Sequence, residues 1–340
     1  MKANYFLGNG QFEVREEAIP GIGADDVLIK VAACGICGTD VHICHGDNAS
    51  AAVHPPVVLG HELSGTVVKI GERVKTLREG DHVSVDPNSY CGKCHYCQIG
   101  KKQLCENLYA VGVNRNGGFE EYCAVPESQC YLLAPSVPLK YGAMAEPLAC
   151  CLHGIDRAGI RVGDTVCVIG GGAIGLMMVQ LAKLSGASRV ILSEPVAMRR
   201  EIGLKVGADW AIDPVQEDIA ETIRGLLGQP GADVVIECVG NTVAVRQAFE
   251  ATKRGTTVLL FSVPKAGTCH ELSLEDVYKK ELKIIGSIIN PDTHGRAVEL
   301  INQGKIMLED IITHSFPVEE VKEAIRMQMS NESIKVMVEP

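Results

Sequence analysis

Val166-Cys167-Val168-Ile169-Gly170-Gly171-Gly172-Ala173-Ile174-Gly175 is the stretch whose reading decides the fold. Thr165–Ile169 reads as a buried strand, and the apolar run Ile174–Ser185 reads as a helix. Between them Gly170, Gly172 and Gly175 fit G-x-G-x-x-G. The first glycine permits a tight turn, the second lets backbone approach a pyrophosphate, and the third lets helix and strand pack closely. The helix then offers unpaired N–H groups to phosphate oxygens. An acid about twenty residues on completes a dinucleotide fingerprint. Glu194, at the end of the strand Arg189–Leu192, is that acid, placed to accept hydrogen bonds from ribose hydroxyls. A carboxylate there disfavours a 2′-phosphate, so NAD is expected before NADP. Arg199 and Arg200 pull the other way, because a nearby guanidinium can hold such a phosphate. The dinucleotide contacts predicted here are Gly170, Gly172, Ala173, Ile174, Gly175, Glu194 and Arg199.

Outward from the glycine turn the chain keeps alternating. A helical Met198–Val206 follows, then strand-like Asp233–Glu237, Thr256–Phe261 and Leu282–Ile285. Such alternation predicts a parallel sheet covered by helices. The first part of the chain is different. Asp26–Ala32, Leu63–Ile70 and Asp81–Val85 are short β-branched runs, punctuated at Pro20-Gly21, Pro55-Pro56 and Gly80-Asp81. The last fifty residues return to mixed helix and strand, ending in Ile334–Val338. At 340 residues two domains are expected, because one core rarely grows so large.

Bulk properties narrow the class. Hydrophobic residues make up 46% and charged residues 22%, as in ordinary globular proteins. A net charge of −10 repels phosphate backbones, and no Lys/Arg run suggests nucleic-acid binding. Met1–Gln11 has no basic segment leading into an apolar core, and apolar stretches fall short of the ~20 residues of a membrane span. A cytoplasmic enzyme without membrane contact is the expectation.

Fourteen cysteines need an account. Disulfide scaffolds serve small secreted domains, so metal ligation is the better reading. Cys91-x2-Cys94-x2-Cys97-x7-Cys105 can close a tetrahedral site with no open position, as structural zinc does. An iron–sulfur cluster uses four cysteines too, but nothing else here suggests electron transfer. A second constellation is dispersed: Cys37 in Gly35–Asp40 (GICGTD), His61 and Glu62 in Pro56–Glu62 (PVVLGHE), and Glu146 in Glu146–Gly154 (EPLACCLHG). A catalytic zinc wants three protein ligands and one exchangeable position. Cys37, His61 and one carboxylate would supply them.

These motifs occur in order together with Gly117–Tyr122 (GGFEEY) and the glycine turn, and the whole resembles the zinc-containing medium-chain alcohol dehydrogenases, more closely their sorbitol or polyol dehydrogenase branch. The resemblance implies a GroES-like, β-rich catalytic domain around a partly open barrel, from residues 1–147 and 289–340. Residues 148–288 would form an α/β Rossmann domain with a doubly wound parallel sheet, the active site lying in the cleft between the two. It implies two zinc ions per chain. Cys37, His61 and Glu62 match the family's catalytic metal positions, with Glu146 as the other candidate, direct or through water. Thr39 is implied to hydrogen-bond the reacting hydroxyl and His42 to relay its proton to solvent, work that Glu146 can share. Asp40 and His153 are implied to orient ligands, and Lys335 to reach the cofactor pyrophosphate. The implied partners are a small alcohol or polyol and further copies of the chain, tetramer before dimer. Threonine, 2,3-butanediol and aldonate oxidation by close relatives stays open beside sorbitol, xylitol and arabitol.

Overall fold

The structure is a computed structural model and describes residues 1–46 and 52–340. The chain divides into two compact units, one of residues 1–149 and 290–340, the other of residues 150–289.

In the second unit six strands form one parallel sheet. Their order is Trp210–Ile212, Arg189–Ser193, Thr165–Ile169, Ala232–Glu237, Thr252–Leu260 and Lys283–Gly286. In chain order this is 3-2-1-4-5-6, the doubly wound arrangement of a Rossmann sheet. The direction of winding reverses beside Thr165–Ile169, so the glycine turn stands where such folds bind ligands. Thr165–Ile169 is buried along its whole length, as a central strand covered on both faces must be. The helix Ala173–Leu184 is buried from Gly175 to Ala182, which its nearly unbroken apolar sequence dictates. Lys283–Gly286 at the sheet edge is largely exposed.

The first unit is β-rich. Its largest sheet runs Cys130–Leu132, His82–Val85, Glu62–Ile70, Asp26–Gly35, Lys335–Glu339 and Ile312–Pro317. Tyr122–Pro126 pairs with the first half of Asp26–Gly35, and Lys335–Glu339 with its second half. The central strand therefore shares one edge between two partners. Its predicted span stopped at Ala32; the real strand continues through Gly35 because Ala33, Cys34 and Gly35 keep pairing with Ser64, Leu63 and Glu62. The hairpin of Lys2–Gly8 and Gln11–Glu16 was not read from sequence. The core gathers Phe119, Ile29, Ile36, Leu59 and Leu63, each under 2% exposed.

No helix among the described residues is long and apolar enough to cross a membrane. All fourteen cysteines are free thiols.

Candidate metal centres and dinucleotide site

The four-cysteine lobe lies in the first unit. Ligand atoms of Cys91, Cys94, Cys97 and Cys105 all lie within 4.8 Å of one another. Cys91 and Cys97 sulfurs are 4.0 Å apart, and those of Cys94 and Cys105 are 3.9 Å apart. A disulfide needs about 2 Å, whereas the edge of a tetrahedral Zn–S4 site with ~2.3 Å bonds is about 3.8 Å. The spacing fits zinc. Backbone N–H groups turn toward the sulfurs: Cys91 N–H donates to Cys105, and Cys94 N–H to Cys91. The N–H groups of Lys93 and Cys94 pull the Cys91 thiol down to about 6, while desolvation pushes that of Cys97 up to about 12. The lobe is tied down by its flanks. Asn290 accepts a hydrogen bond from Asn88 (2.7 Å) and donates one to Asp86 (3.2 Å). Lys102 pairs with Asp292 and covers the Tyr90 ring.

The second centre is assembled by strand pairing. Gly35 ends the central strand opposite Glu62, which begins the next one. This register sets His61 and Glu62 beside Cys37, two residues past Gly35. Ligand atoms of Cys37, His61 and Glu62 lie within 4.8 Å of one another. His61 is 6% exposed and Glu62 1%. Cys37 caps the helix Gly38–Cys44, its sulfur accepting from Thr39 N–H at 3.5 Å.

Asp40 stands behind two of the three. One carboxylate oxygen accepts the Cys37 N–H at 2.9 Å, and the other is 3.7 Å from His61 Nδ1. Nδ1 thus faces Asp40 and leaves Nε2 as the metal donor, as carboxylate–histidine pairs arrange around metals. Burial raises the Asp40 carboxyl, with His61 opposing. Burial also works to lower the His61 imidazole, but Asp40, then Cys37 and Glu146, hold it well above its ordinary value. His61 Nδ1 and Asp40 Oδ1 are buried without a hydrogen-bond partner. A buried S/N/O donor set backed by orphaned polar atoms fits a bound zinc with a position to spare.

Glu146, 6% exposed in the first turn of Ala145–Ala158, lies outside that trio, although its charge reaches His61 and Lys335. Cys150 and Cys151 belong to neither metal-capable group. Thr39 and His42 lie three apart on the helix that Cys37 caps, which puts them on one face.

Lys335, which the resemblance sends to a pyrophosphate, is 4% exposed, and its ammonium contacts Glu62 and the Ile36 carbonyl. These contacts lie inside the first unit and pair a buried carboxylate that would be costly to leave uncompensated.

In the second unit the glycine turn has the geometry its sequence requires. Gly170 has φ +98°, a Cβ on Gly175 would fall 1.8 Å from the Gly170 carbonyl oxygen, and one on Gly172 would meet open space. No side chain caps the helix Ala173–Leu184, so its first N–H groups remain for a ligand. Glu194 is 3% exposed, and its two oxygens accept the N–H groups of Gly171 (2.6 Å) and Val196 (2.8 Å). Arg200 donates to the carbonyls of Glu194 and Pro195 and pairs with Asp213 at 3.1 Å. Of the two arginines, Arg200 is therefore committed to the turn. A second buried carboxylate was missed: Glu237 accepts Val239 and Gly240 N–H at 2.7 Å each, and the Ser262 hydroxyl. Its signal was available, an acid ending a strand as Glu194 follows one. Asp40, which the resemblance implies to orient ligands, is the third helical position after the capping Cys37.

Comparison with known proteins adds context. Residues 23–135 match the family model for the alcohol dehydrogenase GroES-like domain, and residues 173–303 that for zinc-binding dehydrogenase. An L-threonine 3-dehydrogenase of Caldanaerobacter subterraneus is 36% identical, the match covering 96% of this chain and 95% of that one. A sorbitol dehydrogenase of Halalkalibacterium halodurans is also 36% identical, over 98% and 97%. Among solved structures, a zinc-binding dehydrogenase from Sinorhizobium meliloti bound to NADP superposes with a TM-score of 0.95, at 42% identity over 100% and 99% of the two chains. An alcohol dehydrogenase from E. coli CFT073 complexed with NADH gives 0.90, at 31% identity over 100% and 99%.

Proposed function

The chain belongs to the zinc-containing medium-chain alcohol dehydrogenases, in their polyol dehydrogenase-like branch, and from that premise we propose that it oxidises a secondary alcohol of a polyol with NAD as hydride acceptor. The observation that carries this reading is the trio Cys37, His61 and Glu62, its histidine and carboxylate buried and its ligand atoms within 4.8 Å of one another.

Cys37, His61 and Glu62 hold the catalytic metal in this proposal, and the four-cysteine lobe holds a structural one. When bound, zinc would supply Lewis-acid polarisation of the substrate hydroxyl and the nicotinamide cofactor a hydride acceptor. The chain does the rest. The Thr39 hydroxyl accepts the substrate's hydroxyl proton in a hydrogen bond, and His42 passes that proton to solvent. Glu146 adds negative charge beside the site and assists proton removal. Gly170 to Gly175 and the helix behind them cradle the pyrophosphate. Glu194 takes the adenosine ribose hydroxyls with the lone pairs its backbone contacts leave. Arg199 is the basic group through which NADP would enter instead.

A second substrate reading has its own support, since the threonine dehydrogenase relative is as similar as the sorbitol dehydrogenase. Both named substrates carry a secondary alcohol next to a polar substituent, so a vicinal amino alcohol is the competitor. The deciding experiment is a panel of sorbitol, xylitol, arabitol, L-threonine, 2,3-butanediol and aldonates, each with NAD and NADP, followed by absorbance. The highest kcat/KM on a polyol with NAD is expected. A preference for threonine, or for NADP, overturns the respective part.

The free thiols support a reducing, cytoplasmic setting. We also propose that the chain self-associates. Leu274 and Tyr278 are 78% and 86% exposed, and Lys283–Gly286, which carries Ile284, is the open edge of the parallel sheet; open apolar edges call for a partner. Light scattering should show a dimer or tetramer that Ile284→Lys dissociates.

A further inference from the structure

Lys335 is a buried cation against the proposed metal centre, and its surroundings explain why. Glu62, Gly35 and Met337 stand opposite one another across three neighbouring strands. Paired residues share a face and the period is two, so Lys335 extends along the face occupied by Glu62. Its ammonium lies against Glu62 Oε2 and donates to the Ile36 carbonyl at 2.9 Å. Ile36 precedes Cys37, so one lysine grips two ligand-bearing segments. Space for it is made by Gly35. A Cβ there would lie 2.0 Å from Glu62 Oε2 and 2.8 Å from Lys335 Cε. Gly35 is an ordinary strand residue with no positive φ, and only the lysine–carboxylate pair above it requires a glycine.

Asp40 does the complementary work, joining the Cys37 backbone to His61. The trio is thus braced from behind by one anion and one cation. Zn2+, a thiolate, a carboxylate and neutral histidine sum to zero, Lys335 offsets Asp40, and Glu146 adds further negative charge. Removing Lys335 would leave the buried anions beside the metal without their counter-charge.

We propose that Lys335 is a positioning residue that holds Glu62 and the Cys37 segment in ligating arrangement, and so sets how tightly the catalytic zinc is retained. The proposal rests on the assignment of Cys37, His61 and Glu62 as metal ligands. Loss of an outer partner of this kind costs roughly 10–100-fold in metal affinity.

The test uses the purified full chain, a chromogenic chelator and metal analysis. Wild type should hold two zinc ions per chain and Lys335→Met should release one of them at least about tenfold faster, while Lys335→Arg keeps both. Gly35→Ala, which crowds the pair without touching its charges, should release the same zinc. NADH affinity, read by fluorescence, should change less than twofold in Lys335→Met. If Lys335→Met retains zinc like wild type and binds NADH tenfold more weakly, the lysine serves the pyrophosphate and the proposal falls. It falls equally if neither quantity moves. Should Lys335→Met not fold, Gly35→Ala with wild-type zinc retention overturns it alone. A wild-type chain with a single zinc instead removes the ligand assignment underneath.

Discussion

Cys91, Cys94, Cys97 and Cys105 come from one loop of fifteen residues, half-exposed and pre-shaped by their own backbone N–H groups. Cys37, His61 and Glu62 come from two segments, the latter two buried and Cys37 partly so, and meet only because Gly35 pairs with Glu62. The first group is closed by its own sequence; the second is closed by the sheet. A local site can form whenever its loop does, whereas the assembled one reports on whether the whole unit has folded in register.

The sharpest way to break this comparison is to remove a ligand from each. His61→Ala should cut turnover by at least about 10^3-fold, the scale of losing a Lewis acid worth several kcal/mol. Metal content should fall from two zinc ions to one per chain, with the thermal midpoint within a few degrees. Cys97→Ser should do the reverse, because a structural zinc contributes folding energy outright. One zinc is again lost, but the midpoint should drop by about 5 °C or more while the folded fraction keeps kcat within about fivefold. Equal effects of the two variants on turnover would mean that the two centres are not separate.

That difference also decided what was legible in the chain. The lobe could be read from spacing alone. The assembled centre could be suspected only through resemblance, since nothing in Asp26–Ala32 announces that the strand runs on to Gly35 and fixes the register. The contact of Lys335 with Glu62 is hidden in the sequence for the same reason. A lysine opening a strand looks solvated in sequence, and its burial depends on Glu62, 273 positions earlier. The glycine turn is legible because Gly170 and Gly175 answer local constraints, a positive φ and a close backbone approach. Glu194 was found by its distance from that turn, but its grip on Gly171 needed the coordinates.

The glycine turn extends the comparison to a third, mixed case, a local turn completed by a distant acid. Glu194→Ala should shift the NAD/NADP ratio of kcat/KM about 10–100-fold toward NADP, the 1.5–3 kcal/mol of hydrogen bonds to a charged group. An unchanged ratio would mean that the acid serves only Gly171 and Val196.

The smallest effect concerns the ground beneath the lobe. Burial pushes His294 down to about 3 and Asp86 up to about 6. Below pH 6.5 the unfolded chain protonates this histidine and the folded chain does not, so stability falls by about 1.4 kcal/mol per pH unit. Asp86 acts in the opposite sense from pH 6 to about 4, where the folded state takes up the proton. His294→Gln should therefore make the thermal midpoint flat or rising from pH 6.5 to 5, and Asp86→Asn should steepen its fall.

The pairing of Lys335–Glu339 with the central strand has a consequence in time. During synthesis the residues that carry Cys37, His61 and Glu62 are made first, and the lysine that braces them follows 273 positions after Glu62. Contacts that span some three hundred residues close late and slowly. Residues 150–289 form their unit from one continuous segment, so the nascent chain should acquire its dinucleotide fold before its metal trio is braced. A ribosome stalled just short of Lys335 would leave the Glu62 carboxylate still waiting for its counter-charge.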